Sequence, residues 1–193
     1  LKHNKLIVIT GATGTGKTTV SSYLTEQYRI RRVMTHTTRP PRPGEQNGVD
    51  YYFETPETFA TKHFIEHVTY AGYEYGSSYE SLNKAWAKAN FCSIVLDTKG
   101  AITYAKELGD KISILYLTIK DPSILKARLL NRGDDPEMVA KRLASPEYTR
   151  DLTLPAELGD LSTVIINDDW ETAKRHIDAY IKDCALRAVG LRD

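Results

Sequence analysis

Cysteine is scarce in this chain of 193 residues: there are two, Cys92 and Cys184. Neither belongs to a CxxC pair or stands at a Cys/His spacing that would hold zinc, which argues against both a disulfide framework and a zinc site. Both thiols read as small buried hydrophobes in a reducing, cytoplasmic setting. An excess of charge is lacking too, because 26 Lys and Arg face 25 Asp and Glu, a formal net charge of +1. So close a balance gives no global attraction to nucleic acid or an anionic membrane; neither is expected as a partner, and any basic function has to be local. No run approaches the roughly 18 apolar residues of a membrane span, and the N-terminus lacks the charged-then-apolar order of a secretion signal. Internal repeats and low-complexity tracts are absent. The length suits one ordinary domain, for which 41% hydrophobic residues can supply a sizeable core.

What is present begins with a strand, a glycine loop and a helix in succession. Leu6-Ile7-Val8-Ile9 reads as a buried strand, and Lys17 to about Tyr28 as a helix with Val20 and Leu24 on one face. Between them Gly11-Ala12-Thr13-Gly14-Thr15-Gly16-Lys17-Thr18 fits the phosphate-binding pattern G-x-x-x-x-G-K-S/T. A polyphosphate is held by backbone N–H groups converging at a helix N-terminus, and glycine lets the backbone come that near. Lys17 would bring charge to the β- and γ-phosphates, and the Thr18 hydroxyl a ligand for Mg²⁺.

Further apolar runs, Phe91 to Leu96, Ile112 to Ile119 and Thr163 to Ile166, resemble strands of a parallel sheet buried on both faces. A short strand is expected near Val33. Asp121-Pro122 signals a helix start, with Ile124, Leu125 and Leu129 as its apolar face and Gly133 as its end. From Trp170, the spacing of Ala173, Ile177, Ile181 and Cys184 describes a last amphipathic helix. This alternation argues for an α/β sheet. Arg39-Pro40-Pro41-Arg42-Pro43-Gly44 interrupts it, and the aromatic, polar sequence up to about Ser81 reads as a mixed insertion that leaves the sheet and returns. Arg132-Gly133-Asp134-Asp135-Pro136 leads into a basic helix with Lys141 and Arg142, suited to a mobile lid, and Ser145-Pro146-Glu147 should stop or kink that helix.

Two arginines three apart in a proline-stiffened loop can converge on a second anion, since guanidinium forks match phosphate oxygens. The whole stretch, Thr35-His36-Thr37-Thr38-Arg39-Pro40-Pro41-Arg42-Pro43-Gly44-Glu45-Gln46-Asn47-Gly48-Val49-Asp50-Tyr51-Tyr52-Phe53, resembles the guanylate kinase signature S/T-x-T-T-R-x-x-R-x-G-E-x-x-G-x-D-Y-x-F at every defined position. With the glycine loop, Glu66, Tyr75-Gly76-Ser77 and the lid arginines, the resemblance covers nearly the whole chain. It implies a P-loop NTPase fold: a five-stranded parallel sheet flanked by helices, with an inserted GMP-binding region and a lid. The P-loop core would span 1–34, 88–130 and 152–193, the GMP-binding insertion 35–87 and the lid 131–151.

The resemblance further implies transfer of the γ-phosphoryl of ATP to GMP or dGMP, with Mg²⁺ as cofactor, in cytoplasmic purine nucleotide metabolism, by a monomer or homodimer. ATP would contact Gly11 to Thr18, Thr19, Arg128 and Asn167. Arg39, Arg42, Tyr51 and Tyr75 would hold the GMP phosphate. Thr35, Glu66 and Ser77 would read guanine, with Glu45, Gly76 and Asp97 completing that side. A carboxylate suits guanine because N1–H and N2–H₂ are adjacent donors, whereas adenine has an acceptor at N1. Lys17, Arg39, Arg132 and Arg142 are the expected catalytic residues, and Thr18 and Asp97 the expected metal contacts.

The chain also departs from the family. The usual L-D-x-D-x-x-G at the end of the third sheet strand reads Ile94-Val95-Leu96-Asp97-Thr98-Lys99-Gly100, so Val95 replaces the first aspartate and Lys99 adds a nearby charge. Ala12 and Thr13 replace proline and serine, and Thr18 replaces serine while keeping the hydroxyl. Two other uses of this frame stay open on the sequence: a kinase for another nucleotide or a sugar phosphate, favoured by Val95, Lys99 and the altered lid, and a non-catalytic binding module, disfavoured by Lys17 and Arg132. His36, His63 and His67 have no partner at ligand or triad spacing and read as loop or surface residues.

Overall fold

The computed structural model describes residues 4–41, 43–70, 72–131 and 133–188. In chain order, β1 (Lys5–Thr10) leads through the glycine loop to α1 (Lys17–Tyr28) and β2 (Arg31–Arg32). The insertion then supplies β3 (His36–Thr37), β4 (Tyr52–Phe53), α2 (Pro56–Ala60), β5 (Phe64–Tyr70), β6 (Tyr73–Ser78) and α3 (Tyr79–Trp86). The chain returns with β7 (Phe91–Val95), α4 (Thr98–Leu108) and β8 (Ile112–Thr118), followed by α5 (Ile124–Asn131), α6 (Pro136–Leu143), α7 (Pro146–Asp151), β9 (Ser162–Ile166) and α8 (Trp170–Ala188).

Among the described residues, five strands form one parallel sheet in the order β2-β7-β1-β8-β9. Side chains alternate across a strand, so each face collects every second residue. Leu6, Val8, Cys92, Ile94, Ile112 and Ile114 pack on one face against Leu82 of α3 and Ala101 and Tyr104 of α4. Ile7, Ile9, Leu115, Leu117 and Ile165 pack on the other against Val20 and Leu24 of α1 and Ala173 and Ile177 of α8. This two-sided burial explains the near-continuous apolar runs of β1, β7 and β8; β9 departs from the expectation, because at the sheet edge it buries Ile165 and leaves Val164 and Ile166 exposed. The parallel order also places the loops after β1, β7 and β9 along one edge, where ligands of parallel sheets bind.

The insertion folds into a second sheet, β4-β3-β6-β5, with β3 parallel to β4 and β6 antiparallel to β3 and β5. Two further expectations change in detail, and the expected break at Pro146 takes a definite form. Helix α5 starts at Ile124, because the Asp121 carboxylate accepts the Ser123 N–H at 2.9 Å and closes a turn ahead of it. Cys92 is buried, but Cys184 is only half-buried on α8. Proline at 146 separates two helices outright: α6 ends at Leu143, and the Ser145 hydroxyl caps α7 by accepting the Tyr148 N–H at 3.2 Å. Among the described residues, no helix is long and apolar enough to cross a membrane.

Candidate active site

The glycine loop is shaped by positions where a side chain has no room. Gly11 has φ +129°, and a Cβ there would lie 2.1 Å from the Leu117 carbonyl oxygen, so the loop rests directly on the end of β8. Gly16, at φ +99°, is the residue before α1, and a Cβ would meet Asn167 Nδ2 at 2.5 Å. That closeness has a purpose: Asn167, after β9, is buried and donates from Nδ2 to the Thr15 carbonyl at 2.8 Å, pinning the loop from outside. Thr15 Oγ1 donates to the Ala12 carbonyl at 2.8 Å. Lys17 Nζ spans the loop, donating to the carbonyls of Gly11 at 2.7 Å and Ala12 at 2.9 Å. Intrahelical bonding begins when the Val20 N–H reaches the Gly16 carbonyl, which leaves the N–H groups of the first turn for an anion, with no acidic residue beside them.

Two clefts open at this loop. The first, of about 630 Å³, is walled by the loop, by Lys17, Thr18 and Thr19 of α1, by Arg128 of α5, and by Asn167, Asp168 and Trp170. Arg128 is fixed there by Nη2, which donates to the Asn167 carbonyl at 2.9 Å. The second, of about 450 Å³, runs between the insertion sheet and helices α6 and α7 and includes Thr35, Arg39, Tyr51, Glu66, Tyr75, Gly76, Val95 and Asp97. Thr13, Lys17 and Arg142 line both clefts, so the two meet over the phosphate loop. Arg142 is held at that junction by Asp134, Nη1 to Oδ2 at 3.2 Å.

The insertion sheet divides its residues by the two-residue strand period. Registers His36↔Tyr52, Thr37↔Phe53, His36↔Gly76 and Thr37↔Tyr75 put Thr35, Tyr51, Tyr75 and Ser77 on the cleft face and His36, Tyr52, Gly76 and Ser78 on the other. Glu66 reaches the cleft face through a β-bulge. Phe64 pairs with Ser78, so an unbroken ladder would set Glu66 opposite Gly76 on the far face. The register shifts between Phe64 and Glu66, and Glu66 pairs instead with Ser77. A bulge that re-aims one side chain is a common device beside functional sites. Ser77 Oγ donates to Glu66 Oε1 at 2.8 Å. Burial pushes the Glu66 carboxyl above its ordinary value, a shift that the Ser77 hydroxyl reduces and the Asp97 charge reinforces.

Arg39 is held by Glu45, Nη2 to Oε1 at 2.9 Å, and lies 5.6 Å from the Tyr51 ring centre and 5.8 Å from that of Phe53. Tyr51 and Tyr75 meet edge to face at 6.3 Å between centroids. Asp97 is engaged on both oxygens: Oδ1 accepts the Gly100 N–H at 2.7 Å, capping α4, and Oδ2 pairs with Arg150 Nη2 at 2.7 Å. Val95 adds an apolar patch to the second cleft, while Lys99 is exposed. Arg42 and Arg132 lie outside the described residues.

Several residues of the site were not expected. Arg150 joins Asp97 to Asp151, whose Oδ1 also accepts from the Thr98 hydroxyl, so α7 is tied to the start of α4. Glu147 and Tyr148 of α7 line the second cleft. The local signal that could have found α7 is Ser145-Pro146, a cap residue followed by proline, which on the sequence alone reads only as a stop or kink of the preceding helix. His36 corrects the surface reading: it is 4% exposed, with Nδ1 2.7 Å from Glu54 Oε1 and Nε2 2.9 Å and 3.0 Å from the Ser78 and Ser81 hydroxyls. His63 and His67 are exposed, as expected, beside Glu80 and Glu74.

A phosphate loop on which two separate clefts meet is the arrangement of a P-loop nucleoside monophosphate kinase. Comparison with known proteins narrows the class. The guanylate kinase family model matches residues 3–184. A guanylate kinase of Thermus thermophilus is 35% identical over 174 residues, 88% of this chain and 76% of its own length. That of Neisseria gonorrhoeae is 33% identical over 194 residues, covering 96% and 91%. The crystal structure of guanylate kinase from Anaplasma phagocytophilum shares the fold, with a TM-score of 0.62 at 22% identity over 93% of this chain and 85% of that one. The chain belongs to the guanylate kinase family, the ATP:GMP phosphotransferases.

Proposed function

We propose that the first cleft holds ATP and the second holds GMP or dGMP, and that the γ-phosphoryl passes between them at the junction lined by Thr13, Lys17 and Arg142. The observation that carries this reading is that junction, one cationic meeting point shared by two otherwise separate clefts. Transfer between two bound nucleotides needs position and charge rather than a nucleophilic side chain. The loop N–H groups and Lys17 hold the β- and γ-phosphates. Arg39, pre-set by Glu45, with Tyr51 and Tyr75, holds the acceptor phosphate, joined by Arg42. Thr35, Glu66 and Ser77 read guanine, and Gly76 lines the cleft with its backbone while its missing side chain makes room for the Phe64 ring behind the sheet. Arg128, Arg132 and Arg142 neutralise charge from the lid side.

Magnesium fits this donor set. Thr18 offers a hydroxyl in the first turn of α1 on the first cleft. Mg²⁺ keeps waters and takes phosphate oxygens, so it does not require a cage of carboxylates; among the described residues no group of three or more His, Cys, Asp or Glu could form one. When bound, the ion would supply positive charge on the polyphosphate. Asp97 opens on the second cleft with both oxygens engaged, so its contact with the ion would run through water. The moving part of the lid is α6, which carries Arg142. The Arg150 and Asp151 bonds hold α7 to the core, and the break at Ser145 is the hinge. The reaction supplies GDP to purine nucleotide metabolism in the cytoplasm.

A coupled ADP-release assay with ATP and Mg²⁺, offering GMP, dGMP, AMP, CMP, UMP and no acceptor, tests the assignment. Turnover with GMP and dGMP well above that with AMP is expected. Equal turnover with AMP, or ADP release independent of acceptor, would overturn it.

A further inference from the structure

We propose that His36 is a positioning residue for guanine selection: by bridging Glu54 and Ser78 behind the insertion sheet, it fixes the bulged register that sets Glu66 opposite Ser77. This rests on the reading of Glu66 and Ser77 as the guanine-recognising pair.

Three features place His36 at the control point of that register. It stands in β3, the strand between β4 and β6, paired with Tyr52 on one side and Gly76 on the other. Its imidazole spans both flanks, with Nδ1 on Glu54 just after β4 and Nε2 on Ser78 at the end of β6. Ser78 is also the residue paired with Phe64, the last regular pair before the bulge, and the Phe64 ring meets the His36 ring edge-on at 5.8 Å between centroids. The imidazole therefore grips both members of the pair from which the shifted register starts. The alternative register, with Glu66 opposite Gly76, would turn the carboxylate away from the cleft, because a one-residue slip exchanges the faces of a strand.

The chemistry gives the bridge a direction. Burial pushes the His36 imidazole below its ordinary value despite the opposing pull of Glu54, so the ring is neutral at neutral pH. Burial works to raise the Glu54 carboxyl, but hydrogen bonds from Thr58 and His36 and the charge of Lys62 outweigh it and hold it below the ordinary value. An ionised Glu54 accepts, so Nδ1 carries the proton and Nε2 accepts from a serine hydroxyl. Of the other charged groups around the ring, Lys62 lies 3.5 Å from Glu54, Glu80 bonds His63 at 2.6 Å and Lys84 donates to the Tyr52 hydroxyl at 2.9 Å. Glu54 is thus the charged group in direct contact with the imidazole. None of these back-face atoms needs to touch a nucleotide.

The test compares His36→Phe, which keeps a ring and removes the polar contacts of both ring nitrogens, with His36→Gln, which can restore one side, and with Glu66→Gln. Steady-state constants for GMP, AMP and ATP are measured on each, with circular dichroism melting as the control for folding. In His36→Phe the KM for GMP should rise roughly tenfold and the GMP-over-AMP preference should fall. The KM for ATP should stay within about twofold, with partial recovery in His36→Gln. An unchanged preference in folded His36→Phe, or equal rises in both KM values, would overturn the proposal. If His36→Phe does not fold, Ser78→Ala and Glu54→Gln should each shift the preference in the same direction, and no shift in either would overturn it. Loss of preference in Glu66→Gln without loss in His36→Phe rejects this inference and leaves the guanine reading intact. No loss in Glu66→Gln rejects that reading and this inference with it.

Discussion

Replacing Glu66 with glutamine should affect catalysis and stability in opposite directions. Ser77 Oγ donates to Glu66 Oε1, so a glutamine at this position would keep its oxygen toward Ser77 and turn its NH₂ toward the acceptor base. On the proposed reading, guanine presents N1–H and N2–H₂ to this side chain. One charge-assisted bond of about 2 kcal/mol is lost, and a donor is left facing a donor at about 1–2 kcal/mol more. The sum, about 3–4 kcal/mol, is a loss of roughly 10²–10³ in kcat/KM for GMP at about 1.4 kcal/mol per tenfold. Adenine has an acceptor at N1, so AMP should not share that loss, and the KM for ATP should be unchanged. Stability moves the other way. Burial raises the Glu66 pKa, so the folded protein holds this proton more tightly than the unfolded chain does. The contribution is complete below the unfolded value and is lost as pH rises through the folded one, so the ionised side chain costs stability at neutral pH. Glu66→Gln should therefore melt at a higher temperature near pH 7, with the gap closing in acid as wild-type Glu66 takes up its proton. Steady-state kinetics with GMP and AMP, paired with melting curves across pH, read both effects. An unchanged GMP-over-AMP ratio, or a variant that melts lower at neutral pH than in acid relative to wild type, would refute the reasoning.

Other perturbations probe different parts of the account. Lys17→Ala should abolish transfer while leaving GMP binding near wild type, as read by turnover and by calorimetry with GMP alone. Gly16→Ala should put a Cβ 2.5 Å from Asn167 Nδ2 at a φ of +99°, displacing the bond to Thr15. Its expected result is a KM for ATP raised more than the KM for GMP, with a loss of about 1–3 kcal/mol in chemical denaturation. Arg150→Met removes the partner of Asp97 and Asp151 and should destabilise the fold by about 1–2 kcal/mol, a figure discounted for partial exposure. Amide hydrogen exchange should then show α7 opening with α6 instead of remaining protected with the core.

The parts of the fold that could be read in the sequence are those whose physics is local. Strand β1, the glycine loop and α1 are consecutive, and each of their signals is complete within about a dozen residues. Strands β1, β7 and β8 were visible because burial on both faces makes them apolar with little interruption, whereas the apolar run of β9 misled, since Val164 and Ile166 lie exposed at the sheet edge. The break at Pro146 followed from covalent geometry. What could not be read depends on partners distant in the chain. His36 meets Glu54 18 residues on and Ser78 42 residues on, and Arg150 meets Asp97 53 residues back. The bulge at Ile65 is invisible in Phe64-Ile65-Glu66-His67, since it exists as a count of residues against the opposite strand. Without it, the strand period places Glu66 on the wrong face. The engagement of Asp97 by Arg150 likewise could not be read from an aspartate at a strand end.

The most direct test of the central claim, that two nucleotide clefts meet at Thr13, Lys17 and Arg142, is the binding of a dinucleoside polyphosphate linking adenosine to guanosine through five phosphates. Calorimetry should find it bound far more tightly than ATP or GMP separately, because one molecule gains both sites and the shared junction, and far more tightly than its adenosine–adenosine counterpart. Affinity no better than that of ATP alone, or equal affinity for both compounds, would contradict the account.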